Sequence, residues 1–178
     1  MLIRTNSFAF DDRLNKERDT LVSDGVRVRV VGVERLGTSS RKARDSLYGY
    51  RTVRIASRRL FGAGRGVAAK GLETLVRLSL SVLRHRPHTV WVHDPDLTFV
   101  ALVSIMLRRL RFVDHVVIDH HELPRTTLLR NLAFRHLLRR VLNDADVVIM
   151  TNTRRAVFLR RTLKLRTRSV IIIENYAT

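Results

Sequence analysis

Strand-like and helix-like segments alternate along the chain, and this alternation constrains the fold more than any other feature of the sequence. Short runs rich in β-branched residues, such as residues 116–118, are typical of strands buried on both faces of a parallel sheet. Between them lie segments whose leucines and valines recur at helical spacing, such as residues 96–107. The pattern predicts an α/β, Rossmann-like, three-layer domain: a mostly parallel sheet of about six to seven strands with helices on both faces.

The element boundaries follow from the same patterns. The longest predicted helix covers residues 67–84 and is closed by Pro87. A single helix is likewise predicted from Thr126 to Leu142. The predicted strands cover residues 2–6, 26–33, 51–56, 89–92, 116–118, 146–151 and 168–174. The face that the longest helix is expected to bury is composed of Leu72, Leu75, Val76, Leu80 and Leu83.

The charge of the chain has two interpretations that the sequence alone does not separate. The formal net charge is +18, and only four of the 34 basic residues are lysine. An arginine-rich surface favours an anionic partner, although a GC-rich genome produces the same bias. There is no cysteine, which excludes a disulfide framework. The longest apolar run, residues 97–107, is shorter than the roughly 20 residues of a membrane-spanning helix.

A cluster of ionisable side chains follows the central predicted strand directly. Pro124 disfavours a helix immediately after the cluster, so the cluster is expected on a strand-end loop. In open α/β sheets, ligands bind beyond the carboxyl ends of the strands. His93 and Asp94 end the preceding predicted strand, and we expect them to border the same crevice. The four clustered residues are Asp119, His120, His121 and Glu122.

Several local motifs occur in an order that resembles one enzyme family. Residues 11–17 resemble the D-x-R-x-x-K-E that opens a first helix, and residues 86–94 resemble the strand R-P-D-V-V-H-A-H-D. Residues 117–123 resemble V-Y-D-x-H-E-L, residues 145–149 match A-D-x-V-I, and residues 175–176 resemble the N-Y-P of an interdomain linker. In order and spacing these motifs resemble the N-terminal domain of family-4 glycosyltransferases with the GT-B architecture.

The resemblance implies that the chain is the acceptor-binding half of a glycosyltransferase of hexosyltransferase type. Residues 1–174 would form the N-terminal Rossmann-like domain, and residues 175–178 would begin the interdomain linker. In this family a C-terminal domain binds the nucleotide-sugar donor, and these residues do not include one. We therefore expect sugar transfer from a nucleotide-sugar to a glycan or lipid-linked acceptor, and no activity without a C-terminal donor-binding domain. That domain would belong to the same protein, if the chain is a fragment, or to a separate partner, if the transferase is split.

The resemblance also implies roles for individual side chains. His121 matches the family histidine that reaches the donor sugar, and it is the predicted catalytic residue. Arg13, at the start of the first helix, is expected to meet an acidic acceptor or a phosphate. No metal and no cofactor is expected, because the nucleotide-sugar is a co-substrate. The predicted substrate-binding residues are Asp119, Glu122, His93, Asp94 and Arg13.

We predict a cytoplasmic location, with a peripheral contact at the inner face of the membrane as an option. Six arginines near loops and helix ends motivate a contact with an anionic membrane surface, since each basic residue there contributes roughly 1 kcal/mol. No specific nucleic-acid partner is expected. The six arginines are Arg58, Arg59, Arg65, Arg108, Arg109 and Arg111.

Other interpretations stay open at this stage. Asp119, His120 and His121 resemble the D-H-H signature of a metal-dependent phosphoesterase superfamily, although its intervening aspartate motif is missing. A nucleic-acid-binding or scaffold domain is supported by charge alone, without a helix-turn-helix, zinc or RNA-recognition motif. Asp119 also has a plain structural interpretation as a loop-capping carboxylate, and His93 as a buried, hydrogen-bonded histidine. Strand alternation is expected to turn His120 away from His121.

Overall fold

The computed structural model describes residues 1–3, 12–33, 50–53, 67–120, 122–124, 126–166 and 170–173. The chain divides into two compact units, Met1–Arg84 and His85–Thr178. Residues 175–178, which are predicted to begin an interdomain linker, lie outside the described residues.

The described part of the first unit contains three parallel strands and two helices. In chain order they are β1 (Leu2–Ile3), α1 (Asp12–Ser23), β2 (Val30–Val33), β3 (Tyr50–Val53) and α2 (Val67–His85). β2 lies between β1 and β3 and pairs with both in parallel. The β1 side chains are fully buried, as expected for the apolar strands of a parallel sheet.

Four parallel strands form the described sheet of the second unit, in the order β4-β5-β6-β7. The strands β4, β5 and β6 are rich in β-branched residues, and alternate residues on each strand are fully buried. The elements in chain order are β4 (Thr89–His93), a 3₁₀ turn (Pro95–Leu97), α3 (Thr98–Arg109), β5 (His115–His120), α4 (Thr126–Arg130), α5 (Leu132–Asp144), β6 (Val147–Met150), α6 (Thr153–Leu163) and β7 (Val170–Ile172).

The predicted α/β class is confirmed. Parallel strands alternate with helices in both units, and all five strand pairings described above are parallel. The single helix predicted from Thr126 to Leu142 is in fact two helices. The helical conformation is interrupted at Asn131, between α4 and α5. The Asn131 side chain accepts a hydrogen bond of 3.0 Å from the Phe134 N–H and so caps α5. Among the described residues, no helix has the length and apolar character needed to cross a bilayer.

The predicted buried face of α2 is wrong. Leu78 and Val82 are fully buried, whereas Val76 and Leu80 are about half exposed and Leu72 is 65% exposed. Leu75 is partly buried. Leu83 is also exposed. The helix carries apolar residues on two adjacent stripes, so helical spacing alone does not tell which stripe faces the sheet. The stripe with fewer leucines is the buried one.

Candidate functional site

The carboxyl ends of β4 and β5 bring two ionisable side chains together. The two strands are parallel neighbours, and their register pairs His93 with Asp119. Because successive side chains point to opposite faces of a strand, paired residues of neighbouring strands share a face. His93 and Asp119 therefore lie on one face of the sheet, and Trp91, two residues before His93, lies on that same face.

His93 and Asp119 form a buried ionisable pair. Both side chains are fully buried, and the His93 Nδ1 atom lies 3.7 Å from the Asp119 Oδ2 atom. This separation is longer than a direct hydrogen bond, so the contact is electrostatic. A carboxylate in a protein interior is strongly unfavourable unless opposite charge or donors surround it. The buried pair is therefore a specific feature of the strand ends.

The indole ring of Trp91 packs against the His93 imidazole. The Trp91 and His93 rings are stacked, with centroids 5.6 Å apart and planes 8° from parallel. The buried Trp91 Nε1 atom has no hydrogen-bond partner among the described residues. Indole N–H groups usually find an acceptor when they are buried. Trp91 is not among the predicted site residues, although its i, i+2 spacing from His93 on a predicted strand places it on the same face.

The turn after β4 carries a strained backbone. Asp94 has φ 79° and ψ 135°, a conformation that residues other than glycine rarely adopt. Its N–H donates to the Asp119 carbonyl oxygen, and its own carbonyl oxygen accepts from the Leu97 N–H, each at 3.2 Å. Strain of this kind costs about 1–3 kcal/mol and is concentrated at functional sites. The two strand ends are thus joined through the backbone of Asp94 as well as through the buried pair.

The remaining predicted site residues have different placements. The expected loop placement of Asp119 and His120 is wrong, because β5 continues through both residues. His120 is buried on the face of β5 opposite to Asp119, in register with Met150. Glu122 is exposed just beyond β5. His121 lies outside the described residues. The structure describes the backbone of Arg13, which lies at the start of α1. The structure therefore brings together His93, Asp94 and Asp119 among the predicted residues.

The carboxyl end of β6 adds a polar group that the sequence analysis did not select. Thr151 follows β6 directly and is buried. The Arg155 guanidinium, on the first turn of α6, donates to the Thr151 hydroxyl at 3.3 Å. A threonine after a buried strand is a weak sequence signal, because hydroxyl residues are common in such turns.

The strand geometry separates two of the three residues that the phosphoesterase interpretation uses, and the third, His121, lies outside the described residues. A D-H-H metal site requires its carboxylate and imidazole groups to converge on the same ions. Asp119 and His120 are consecutive on β5 and point to opposite faces of the sheet. They cannot both contact one ion without a change in the strand.

Comparisons with known proteins identify the fold and do not identify a family. No family profile matches the sequence, and no curated protein matches it. Among solved structures, a chain described as sucrose-phosphate synthase from Thermosynechococcus elongatus superposes with a TM-score of 0.63. The two chains are 14% identical, and the match covers 98% of this chain and 87% of that chain. At this identity the likeness shows a shared fold.

Proposed function

We propose that this chain is the acceptor-binding domain of a GT-B glycosyltransferase that resembles family 4. The observation that carries the proposal is the buried His93–Asp119 pair at adjacent carboxyl ends of parallel strands. This is the edge of an open α/β sheet at which ligands bind. The shared fold with a sucrose-phosphate synthase, itself a glycosyltransferase, supports the same conclusion.

The proposed reaction is sugar transfer from a nucleotide-sugar to a hydroxyl group of a glycan or lipid-linked acceptor. The acceptor oxygen bonds to the anomeric carbon as the bond from that carbon to the nucleoside diphosphate breaks. The hydroxyl proton is lost, and the nucleoside diphosphate leaves. We assign the contact with the donor sugar to His121, two residues after Asp119 in the chain, because an imidazole can both accept and donate hydrogen bonds.

The buried pair would act by positioning. His93 and Asp119 are buried at the carboxyl ends of β4 and β5, and His121 follows β5 directly in the sequence. Positioning keeps a sugar-binding group in the geometry of reaction, which is a large part of catalysis in transfer reactions. Asp94, Glu122 and Arg13 are the proposed contacts to the acceptor. A C-terminal, donor-binding domain would close over this edge, and we expect the chain alone to be inactive.

The test pairs this chain with a donor-binding domain. Transfer of labelled sugar from a panel of nucleotide-sugars is measured with glycan and lipid extracts as acceptors, with and without an added donor-binding domain of a GT-B glycosyltransferase. We expect label in the acceptor only when both proteins are present. His121→Ala should reduce transfer at least roughly a hundred-fold, as expected for loss of a catalytic group. The matched control is His136→Ala, at an exposed position of α5, which should leave transfer unchanged.

Two results would contradict the proposal. The first is hydrolysis of phosphodiesters by this chain with added manganese, because it would identify a phosphoesterase. The second is full transfer activity in His121→Ala together with Asp119→Asn, since the proposed strand-end site would then have no part in the reaction.

A further inference from the structure

The outer face of α6 combines exposed apolar side chains with arginines. Val157 and Phe158 are 42% and 45% exposed, although apolar side chains of a helix usually face the core. Arg154 and Arg161 precede and follow them at helical spacing, so all four lie on one face. The opposite face of α6 is the buried one, formed by Ala156, Leu159 and Leu163.

The positive charge of this face is not neutralised within the described part of the chain. The side chains of Arg154 and Arg161 have no ion pair or hydrogen bond among the described residues, whereas Arg155 donates to Thr151. Helix α6 contains four arginines and no acidic residue. The exposed face therefore presents two available guanidinium groups on either side of an apolar centre.

A shallow, open depression of about 390 Å³ lies along this face, and its lining is mostly apolar. Ligand clefts of this size usually combine an apolar lining with a few polar groups. Guanidinium groups bind phosphate oxygens in bidentate geometry, and apolar side chains beside them can bind acyl chains. The residues that line the depression are Thr153, Arg154, Val157, Phe158, Arg161 and Thr162.

We propose that the outer face of α6 binds anionic phospholipids and lies on the surface of an anionic bilayer. Arg154 and Arg161 are about 10 Å apart along the helix axis, so each would bind the phosphate of a different headgroup. Val157 and Phe158 would enter the boundary between headgroups and acyl chains, which is the geometry of an interfacial amphipathic helix. The outer face of α6 would then be the surface at which the membrane contact predicted from the sequence takes place. This contact does not depend on sugar transfer.

The location differs from the arginine set that the sequence suggested for this contact. Arg108 and Arg109 are bound by the carboxylates of Asp146 and Asp144 within the second unit. Guanidinium groups that are already paired gain little from a lipid phosphate, since the existing pair must first be broken. Arg154 and Arg161 require no such exchange.

Co-sedimentation with vesicles tests the proposal, with the full chain and no sugar donor. The vesicles contain phosphatidylcholine alone, or phosphatidylcholine with about a third phosphatidylglycerol. We expect binding to the anionic vesicles, and a roughly thirty-fold lower partition coefficient for Arg154→Gln with Arg161→Gln, since each arginine contributes about a five- to six-fold factor. Phe158→Ser should lower the partition further, because an apolar contact is lost.

The matched control removes the same charge elsewhere. Arg84→Gln with Arg130→Gln changes two exposed arginines of α2 and α4, and we expect less than about a three-fold loss. Equal losses in the two double variants would overturn the proposal, because only net charge would matter. Equal binding to neutral vesicles would overturn it too. So would release by inorganic phosphate but not by chloride at the same ionic strength, which would identify a site for soluble phosphate.

A direct readout of insertion is available because the chain contains no cysteine. Val157→Cys can be labelled with an environment-sensitive fluorophore, whose emission should shift to the blue with anionic vesicles. The control label at Thr127→Cys, an exposed position of α4, should not shift. An unshifted label at residue 157 in a sample that binds vesicles would place the contact elsewhere and overturn the proposal. Neither readout uses a nucleotide-sugar, so failure of sugar transfer and failure of membrane binding are distinguishable.

Discussion

The Nδ1 atom of His93 lies 3.7 Å from the Oδ2 atom of Asp119, and both side chains are fully buried. A second histidine–aspartate pair of the same unit, His88 with Asp114, has a shorter separation of 2.8 Å but is largely exposed to solvent. Solvent screens the exposed pair, whereas the buried groups have no comparable screening. The energetic importance of these two contacts therefore follows burial and not distance.

Substitution of either buried partner should destabilise the fold strongly. His93→Phe leaves the Asp119 carboxyl group in the interior without its imidazole, and we expect a loss of about 3 kcal/mol in the free energy of unfolding. The double variant His93→Phe with Asp119→Leu should also lose free energy of unfolding. We expect this loss to be smaller than the sum of the two single-variant losses by about 1 kcal/mol or more. Urea denaturation measures all three proteins. The control His88→Ala should not measurably change the midpoint, and strict additivity at His93 and Asp119 would refute the coupling.

The strand-end position of His93 and Asp119 is predictable because of local patterns. A β-branched run sets each strand, and the polar residues that follow it must lie at the carboxyl end. The register that sets these two residues side by side is not predictable in this way, since it depends on pairing between distant segments. The stacking of Trp91 on His93 follows from the alternation of side chains along β4, which places the two rings on one face. Trp91 is nevertheless not among the predicted site residues.

The faces of α2 show a different limit of sequence reasoning. The predicted face at positions 72, 75, 76, 80 and 83 satisfies helical spacing, and so does a stripe through positions 75, 78 and 82. Only tertiary packing selects Leu78 and Val82 as the buried pair. Binary patterning determines secondary structure here, whereas the choice between two equivalent stripes is a tertiary effect.

Asp94→Gly should separate stability from activity. Glycine adopts φ 79° without the steric cost that a side chain meets there, so we expect a net gain of about 1 kcal/mol in the free energy of unfolding. If Asp94 contacts the acceptor, sugar transfer should fall in the same variant. Asp96→Gly is the matched control, because its helical backbone favours a side chain and the substitution should destabilise by about 0.5–1 kcal/mol. Equal destabilisation by both glycine variants, measured by urea denaturation, would argue against strain at Asp94.

Arg108 should contribute to stability and not to membrane binding. Its guanidinium contacts the Asp146 carboxylate and donates to the Asp144 carbonyl oxygen at 2.7 Å. The same Asp146 oxygen accepts the Val116 N–H at 2.7 Å, so the contact ties α3 to the start of β5. We expect Arg108→Gln to lower the free energy of unfolding by about 1–2 kcal/mol, because a charge-assisted network is broken. Vesicle binding by Arg108→Gln should match that of Arg84→Gln. A much larger loss of binding in Arg108→Gln would show that α3 contacts the membrane.

The amino group of Met1 should make stability depend on pH. Burial, with a smaller effect of the Arg29 charge, lowers the pKa of this group from 8.0 to about 6. In a protein that begins at Met1, the unfolded chain then holds more protons than the folded chain between pH 6 and pH 8. The free energy of unfolding should therefore rise with pH through this window, by at most about 2.7 kcal/mol. Urea denaturation at pH 6, 7 and 8 measures the rise, and N-acetylated protein is the comparison because it lacks the titrating group. All other titratable groups are common to the two proteins, so the difference between the two pH slopes isolates Met1, and identical slopes would show that the amino group is not desolvated.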